Sequence, residues 1–169
     1  KQQTGLLELA KSQSIFEGNL TIAMSEITQI AARTLNVARS GIWFYNQDQS
    51  ELYCAYLYPN SSDSSPKTEI TLQRSQCSAY FEAINAQRVI SASNAHTDEC
   101  TQQLSAFYLQ KNAMIALLTV PIHFKGQILG VISLEDSQTR DWAIEEQNFT
   151  SYLAQMTSLA LEARDRKQA

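Results

Sequence analysis

Residues 114–136, "MIALLTVPIHFKGQILGVISLED", contain two apolar runs separated by Lys125-Gly126. Glycine supplies the positive φ that a tight two-residue turn demands, so the stretch reads as two antiparallel strands closed by that turn. Strand alternation then sorts the second run by face. Ile128, Ile132 and Leu134, with Gly130 between them, form an apolar set. Val131, Ser133 and Glu135 form a more polar set pointing the other way. One face of the sheet is therefore expected to be core, and the other is free to border a cavity.

Working outward from this hairpin, the apolar residues Phe149, Leu153, Met156, Leu159, Ala160 and Ala163 recur at helical spacing and predict a long helix from Ile144 to about Lys167. Upstream, residues 99–111 predict a short helix burying Leu104, Phe107 and Tyr108. "RVISA" (88–92) predicts a short strand, and Ser75 is a candidate cap for a helix through Asn85. "SGIWFY" (40–45) and "ELYCAYLY" (51–58) flank a polar turn and read as another hairpin, followed by an exposed loop over 59–68. Asn19 is a plausible cap for an amphipathic helix carrying Leu20, Ala23, Met24, Ile27, Ile30, Ala31 and Leu35. Residues 3–14 suit a shorter amphipathic helix, so 1–18 is expected to be a helical linker ahead of a domain over 19–169. The element order predicts an α+β domain built on a mostly antiparallel sheet.

The 169 residues suffice for one self-sufficient core. Lysines and arginines are scattered and the formal charge is −4, so no basic stripe invites nucleic acid. The longest apolar run, "MIALLTVPI", is about half the length of a membrane-spanning helix, so no membrane contact is expected of this domain. Three widely spaced cysteines, Cys54, Cys77 and Cys100, argue against a disulfide framework and for a reducing compartment, by default the cytoplasm.

Taken together, "TLNVARSGIWFYNQDQSEL" (34–52), "ALLTVPIHFKGQILGVISLED" (116–136) and "WAIEEQNFTSYLAQMTSLALEARDRKQA" (142–169) resemble the strands and terminal helix of GAF domains. The likeness runs from about Leu20 to Ala169 and is nearest to GAF domains of bacterial sensor histidine kinases and related multidomain signalling proteins. It implies a GAF/PAS-like central antiparallel sheet with the N- and C-terminal helices on one face and a possible small-molecule pocket on the other. Ile128, Ile132 and Leu134 would then lie under the helices. Val131, Ser133 and Glu135, Leu117 and Thr119 of the fifth strand, and Gly41, Trp43 and Tyr45 of the first strand would face the pocket. Phe107 and Tyr108 from the following helix are further candidate lining, although aromatics at such spacing more often pack a core. The resemblance also implies a homodimer through the terminal helices and a downstream output domain, reached from the helix over about 144–169.

The stretch "NAHTDEC" (94–100) concentrates His96, Asp98, Glu99 and Cys100. No second ligand cluster accompanies it, so a polar loop with Asp98 as a helix cap is expected rather than a metal site. It resembles the loop that GAF domains place beside the pocket mouth, which makes His96 and Cys100 lip candidates. Two alternative activities follow from the resemblance. A cysteine-based methionine-sulfoxide reductase of this fold would need a nucleophile where this chain has Gln110, although "RSQCSAYFEA" (74–83) resembles another of its segments. A bilin photoreceptor would need a Cys-His pair near Leu104, where "LS" stands instead. Nor does "QNF" (147–149) reproduce the cyclic-GMP signature. The cofactor is left open, and the expected role is sensory or regulatory rather than catalytic.

Overall fold

Asn19 begins the fold in the expected way. Its side-chain oxygen accepts from the Ile22 amide at 3.2 Å and caps helix α1 (Leu20–Leu35), which closes at Asn36 in the left-handed conformation, φ 55°. The computed structural model describes residues 17–59 and 70–168. The expected helix over 3–14 and nearly all of the 59–68 loop lie outside the described residues.

The first predicted hairpin is β1 (Arg39–Tyr45) and β2 (Glu51–Tyr58), and the second is β5 (Ala116–Phe124) and β6 (Gln127–Asp136). Between them run β3 (Thr71–Gln73), α2 (Ser78–Ala86) and β4 (Ile90–Ala92). The six strands form one antiparallel sheet in the order β3-β2-β1-β6-β5-β4, and the chain ends its described part in α4 (Ile144–Gln168). Lys125 and Gly126 both take positive φ, 53° and 79°, as the β5–β6 turn requires.

Gly130 sits where β6 meets β1. A Cβ there would stand 1.9 Å from the Trp43 carbonyl oxygen, so only glycine lets the two strands close. The sheet then carries two cores. Ile42, Leu118, Val120, Ile132 and Leu134 meet α1 and α4 through Ile27, Ala31, Phe149 and Leu153. Trp43, Leu117 and Val131 meet α2 and the 102–112 segment through Phe81, Ile84, Leu104 and Leu109.

Four expectations are corrected by the structure. Ile128 does not lie under the helices. In the β5–β6 ladder Ile122 faces Gly130 while His123 faces Ile128, so Leu129 is an extra residue. That bulge sends Leu129 toward the helix-side core and Ile128 toward the opposite one. The helix expected over 99–111 is instead a 3₁₀ turn (Gln102–Leu104), a π turn (Ser105–Leu109) and a single α turn, α3 (Gln110–Asn112). The changed winding buries Leu104, Tyr108 and Leu109 and leaves Phe107 only partly covered. Asp98 caps no helix; its carboxylate accepts from the Cys100 amide at 2.9 Å and closes a local turn. Helix α2 begins at Ser78, not Ser75. Arg74 is held by two bonds to the Gln49 carbonyl, at 2.8 and 3.1 Å, and Cys77 takes the cap position without a side-chain capping bond, its thiol donating instead to the Gln73 carbonyl at 3.3 Å. The three-residue β3 had no sequence signal strong enough to announce it.

Candidate functional site

The ladder register builds the candidate face row by row. Arg39 pairs with Glu135, Gly41 with Ser133 and Trp43 with Val131, while Leu117 and Thr119 of β5 stand beside Glu135 and Ser133. Gly41 leaves room for the Trp43 indole, whose N–H donates to Ser133 Oγ at 2.9 Å. Next to it the Tyr80 hydroxyl and Thr119 Oγ1 are 2.8 Å apart.

Glu135, only 2% exposed, is the charged centre. Arg39 reaches its Oε1 through Nε at 2.8 Å and Nη2 at 2.7 Å. The π turn delivers Tyr108 onto the same pair. Its hydroxyl donates to Glu135 Oε2 and accepts from Arg39 Nη2 at 2.8 Å. Asn112, one turn further on, accepts from Arg39 Nη1 at 3.0 Å and donates to the Tyr108 carbonyl at 2.8 Å. The Tyr108 ring meets Trp43 edge to face, with centroids 5.8 Å apart. The 102–112 segment is thus latched to the ends of β1 and β6 through Tyr108 and Asn112.

The electrostatics agree with a latched arrangement. Burial, reinforced by the neighbouring Glu135 carboxylate, holds the Tyr108 hydroxyl well above its ordinary range, so it is a proton donor at neutral pH. Burial is the largest single influence on Arg39 and opposes its charge, but the charge and hydrogen bonds of Glu135 and Tyr108 together outweigh it and raise the guanidinium above its ordinary value. Burial, with a smaller contribution from Glu135, pushes the Cys54 thiol up to about 12, and burial alone does the same to Cys77. Neither sulfur is an activated nucleophile. The Tyr45 hydroxyl is buried without a hydrogen-bond partner among the described residues, and burial raises it as well.

Of the predicted residues, Trp43, Tyr108, Leu117, Thr119, Val131, Ser133 and Glu135 come together on this face, with Tyr45 and Phe107 packed at its margin. His96 and Cys100 do not join the Glu135 group. The His96 ring is spanned by Ser105 Oγ at 2.6 Å and the Met114 carbonyl at 3.0 Å; since a carbonyl only accepts, Nε2 carries a proton. Cys100 takes a weak bond from Gln87 at 3.5 Å. Among the described residues no group of three or more His, Cys, Asp or Glu side chains is gathered to hold a metal ion. Arg39 and Asn112 were missed by the sequence reading. Arg39 shares strand parity with Gly41 and Trp43 and was within reach of that argument; Asn112 gives no comparable signal.

Among the described residues, a six-stranded antiparallel sheet with two long helices on one face and α2 with the 102–112 segment on the other defines the class, an α+β domain. The family follows directly. The GAF domain model matches residues 19–161, and the chain belongs to the GAF domain family. Solved structures share the fold at low identity. The phycoerythrobilin-bound GAF domain from a cyanobacterial phytochrome is 13% identical, with TM-score 0.77 over 100% of this chain and 98% of that one. The GAF domain of a two-component sensor histidine kinase from Bacillus halodurans is 20% identical, with TM-score 0.65 over 86% and 98%. The free methionine-R-sulfoxide reductase from Neisseria meningitidis, solved with its substrate, is 10% identical, with TM-score 0.72 over 98% and 89%. The search of curated proteins finds no match.

Proposed function

We propose that this chain is a regulatory GAF domain of a multidomain signalling protein of the bacterial sensor-histidine-kinase type, pairing with a second copy through α1 and α4. In this reading residues 1–18 form an incoming linker, and the end of α4 leads to an output domain in a cytoplasmic parent. The observation that carries it is the outer stripe of α4. Tyr152 and Leu159, 42% and 38% exposed and seven residues apart, alternate with exposed Gln155, Glu162 and Arg166 at spacings of three and four. Ile22, 47% exposed, is a further exposed apolar side chain, on α1. The stripe lies opposite the residues that α4 buries on the sheet, so a partner helix can use it without disturbing the core.

Light scattering tests this reading. The chain is expected to be a dimer, and Tyr152→Glu with Leu159→Glu is expected to give a folded monomer. A monomeric parent chain sinks the proposal.

A second reading, a small-ligand pocket, is favoured by one observation, the π turn that carries Tyr108, because such turns recur at functional sites. A ligand would enter beneath the 102–112 segment, replacing the bonds that Tyr108 and Asn112 make to Arg39 and Glu135. Native mass spectrometry of freshly isolated protein is the check; only unliganded mass, with no ligand-induced protection of 102–112 in hydrogen exchange, removes this reading. Reductase and bilin activities are disfavoured by the raised Cys54 and Cys77 thiols and by Leu104-Ser105 where bilin attachment needs cysteine.

A further inference from the structure

The helix-side face carries a separate feature that the Glu135 face does not explain. A groove of about 640 Å³ opens where α1 begins and α4 ends, over the outer corner of β1, β2 and β6. Its size falls within the usual range for organic ligands. Its lining is mixed, with Asn19 and Thr21 beside aromatic and aliphatic side chains. Phe44 and Tyr53, with ring centroids 6.4 Å apart, lie beside Met24, Ala55, Leu129 and Leu161. Leu129 reaches the groove because it is the bulged residue of β6.

Its rim has one sign of charge. Arg164 and Lys167 line it, and among the described residues no Asp or Glu does. That is unexpected in a chain whose formal net charge is −4. Neither cation forms an ion pair among the described residues, whereas the neighbouring Arg166 pairs with Glu162 and Lys125 with Asp165. The groove is also walled tightly at one end. Gly18, at φ +81°, runs against α4 so closely that a Cβ would stand 3.0 Å from the Ala163 carbonyl oxygen.

We propose that this groove binds an amphipathic organic anion, an aryl or acyl carboxylate whose apolar body lies on Phe44 and Tyr53 and whose charge is met by Arg164 and Lys167. Such an occupant touches the first turn of α1 and the last turns of α4 together, on the face of the sheet opposite the Glu135 cluster. The site is separate from the ligand reading of the opposite face, and it adjoins α1 and α4, the helices that the dimer reading uses.

Calorimetric titration of the full chain with naphthalene-1-acetate, against the uncharged naphthalene-1-acetamide, tests it. The acid is expected to bind at least about tenfold more tightly than the amide, in line with one charge-assisted contact. Arg164→Gln with Lys167→Gln is expected to abolish that preference while leaving amide binding and thermal stability unchanged, since both side chains are exposed. Tyr53→Ser is expected to weaken both ligands. Equal affinity for acid and amide, an unaltered preference in the double variant, or no binding of the acid overturns the proposal. So does retention on phosphatidylglycerol vesicles without binding of the free acid, which would assign the groove to a lipid surface.

Discussion

Removing one partner of the Arg39–Glu135 pair should cost far more than removing both. Glu135→Leu strips the guanidinium of the acceptor for its Nε and Nη2 donors, and leaves it with the Asn112 and Tyr108 oxygens. Arg39→Met leaves a 2%-exposed carboxylate with Tyr108 as its remaining side-chain donor. Breaking a buried pair in this way typically costs about 3–5 kcal/mol. Because the Arg39 side chain keeps 15% of its exposure and the Glu135 side chain only 2%, Arg39→Met should be the more damaging change. For a chain of this size each kcal/mol shifts the melting midpoint by about 2–4 °C, so each single variant should melt about 6–20 °C lower. The double variant replaces the pair by apolar groups and should recover most of that loss, giving a coupling energy of at least about 2 kcal/mol in the cycle. Urea unfolding followed by circular dichroism measures all four proteins. Singles costing under about 1 kcal/mol, or a double variant as unstable as the sum of the singles, would refute the reading of a mutually dependent buried pair.

Gly130→Ala should lose about 3 kcal/mol or more, because its Cβ meets the Trp43 carbonyl at 1.9 Å and the strand ladder must shift; a melting midpoint within 2–3 °C of the parent contradicts this. Alkaline pH should destabilise the fold. Cys54, Cys77, Tyr80 and Tyr108 all have folded-state pKa values raised by burial, so their stabilisation is complete below about pH 9 and declines as pH rises toward and beyond about 12. Urea midpoints at pH 8 and pH 10.5 should fall in that order, and a flat profile counts against it. Arg140→Ala should cost about 2 kcal/mol, since Arg140 pairs with Asp136 and Glu146, bonds the Leu35 and Asn36 carbonyls and covers the Trp142 ring. Hydrogen exchange should then quicken at the end of α1 and the start of α4 together; protection lost at one alone refutes a shared clamp.

Where the sequence was legible, the reason was periodicity backed by a strong local signal. The Lys125-Gly126 turn, the Asn19 cap and the alternating strands gave the sheet, its terminal helices and most of the Glu135 face, because each is encoded within a few residues. Bulges defeat alternation in a way that no short window reveals. Leu129 inverts the parity of Ile128, and on β2 the step from Tyr56 opposite Ile42 to Cys54 opposite Trp43 does the same around Ala55. The 102–112 segment was misread for a related reason. Residues 99–111 satisfy a helical pattern, but the segment winds through 3₁₀, π and α turns in succession, and it buries Tyr108 and Leu109 while Phe107 stays partly covered. His96 looked chemical because of its neighbours in sequence, whereas Ser105 and Met114, its neighbours in space, occupy both ring nitrogens.

The end of β6 gives these separate features a common mechanical origin. Glu135 and Asp136 are consecutive, so the pleat turns them to opposite faces of the sheet. Glu135 takes Arg39 and the Tyr108 latch on the face that carries the 102–112 segment. Asp136 takes Arg140, which in turn holds the last carbonyls of α1 and Glu146 in the first turn of α4. Arg39 itself opens β1 three residues after Asn36, so the α1–β1 connection is gripped from both sides. A displacement of the 102–112 segment that drags Glu135 must therefore strain either the Asp136–Arg140 pair or the backbone joining the two carboxylates.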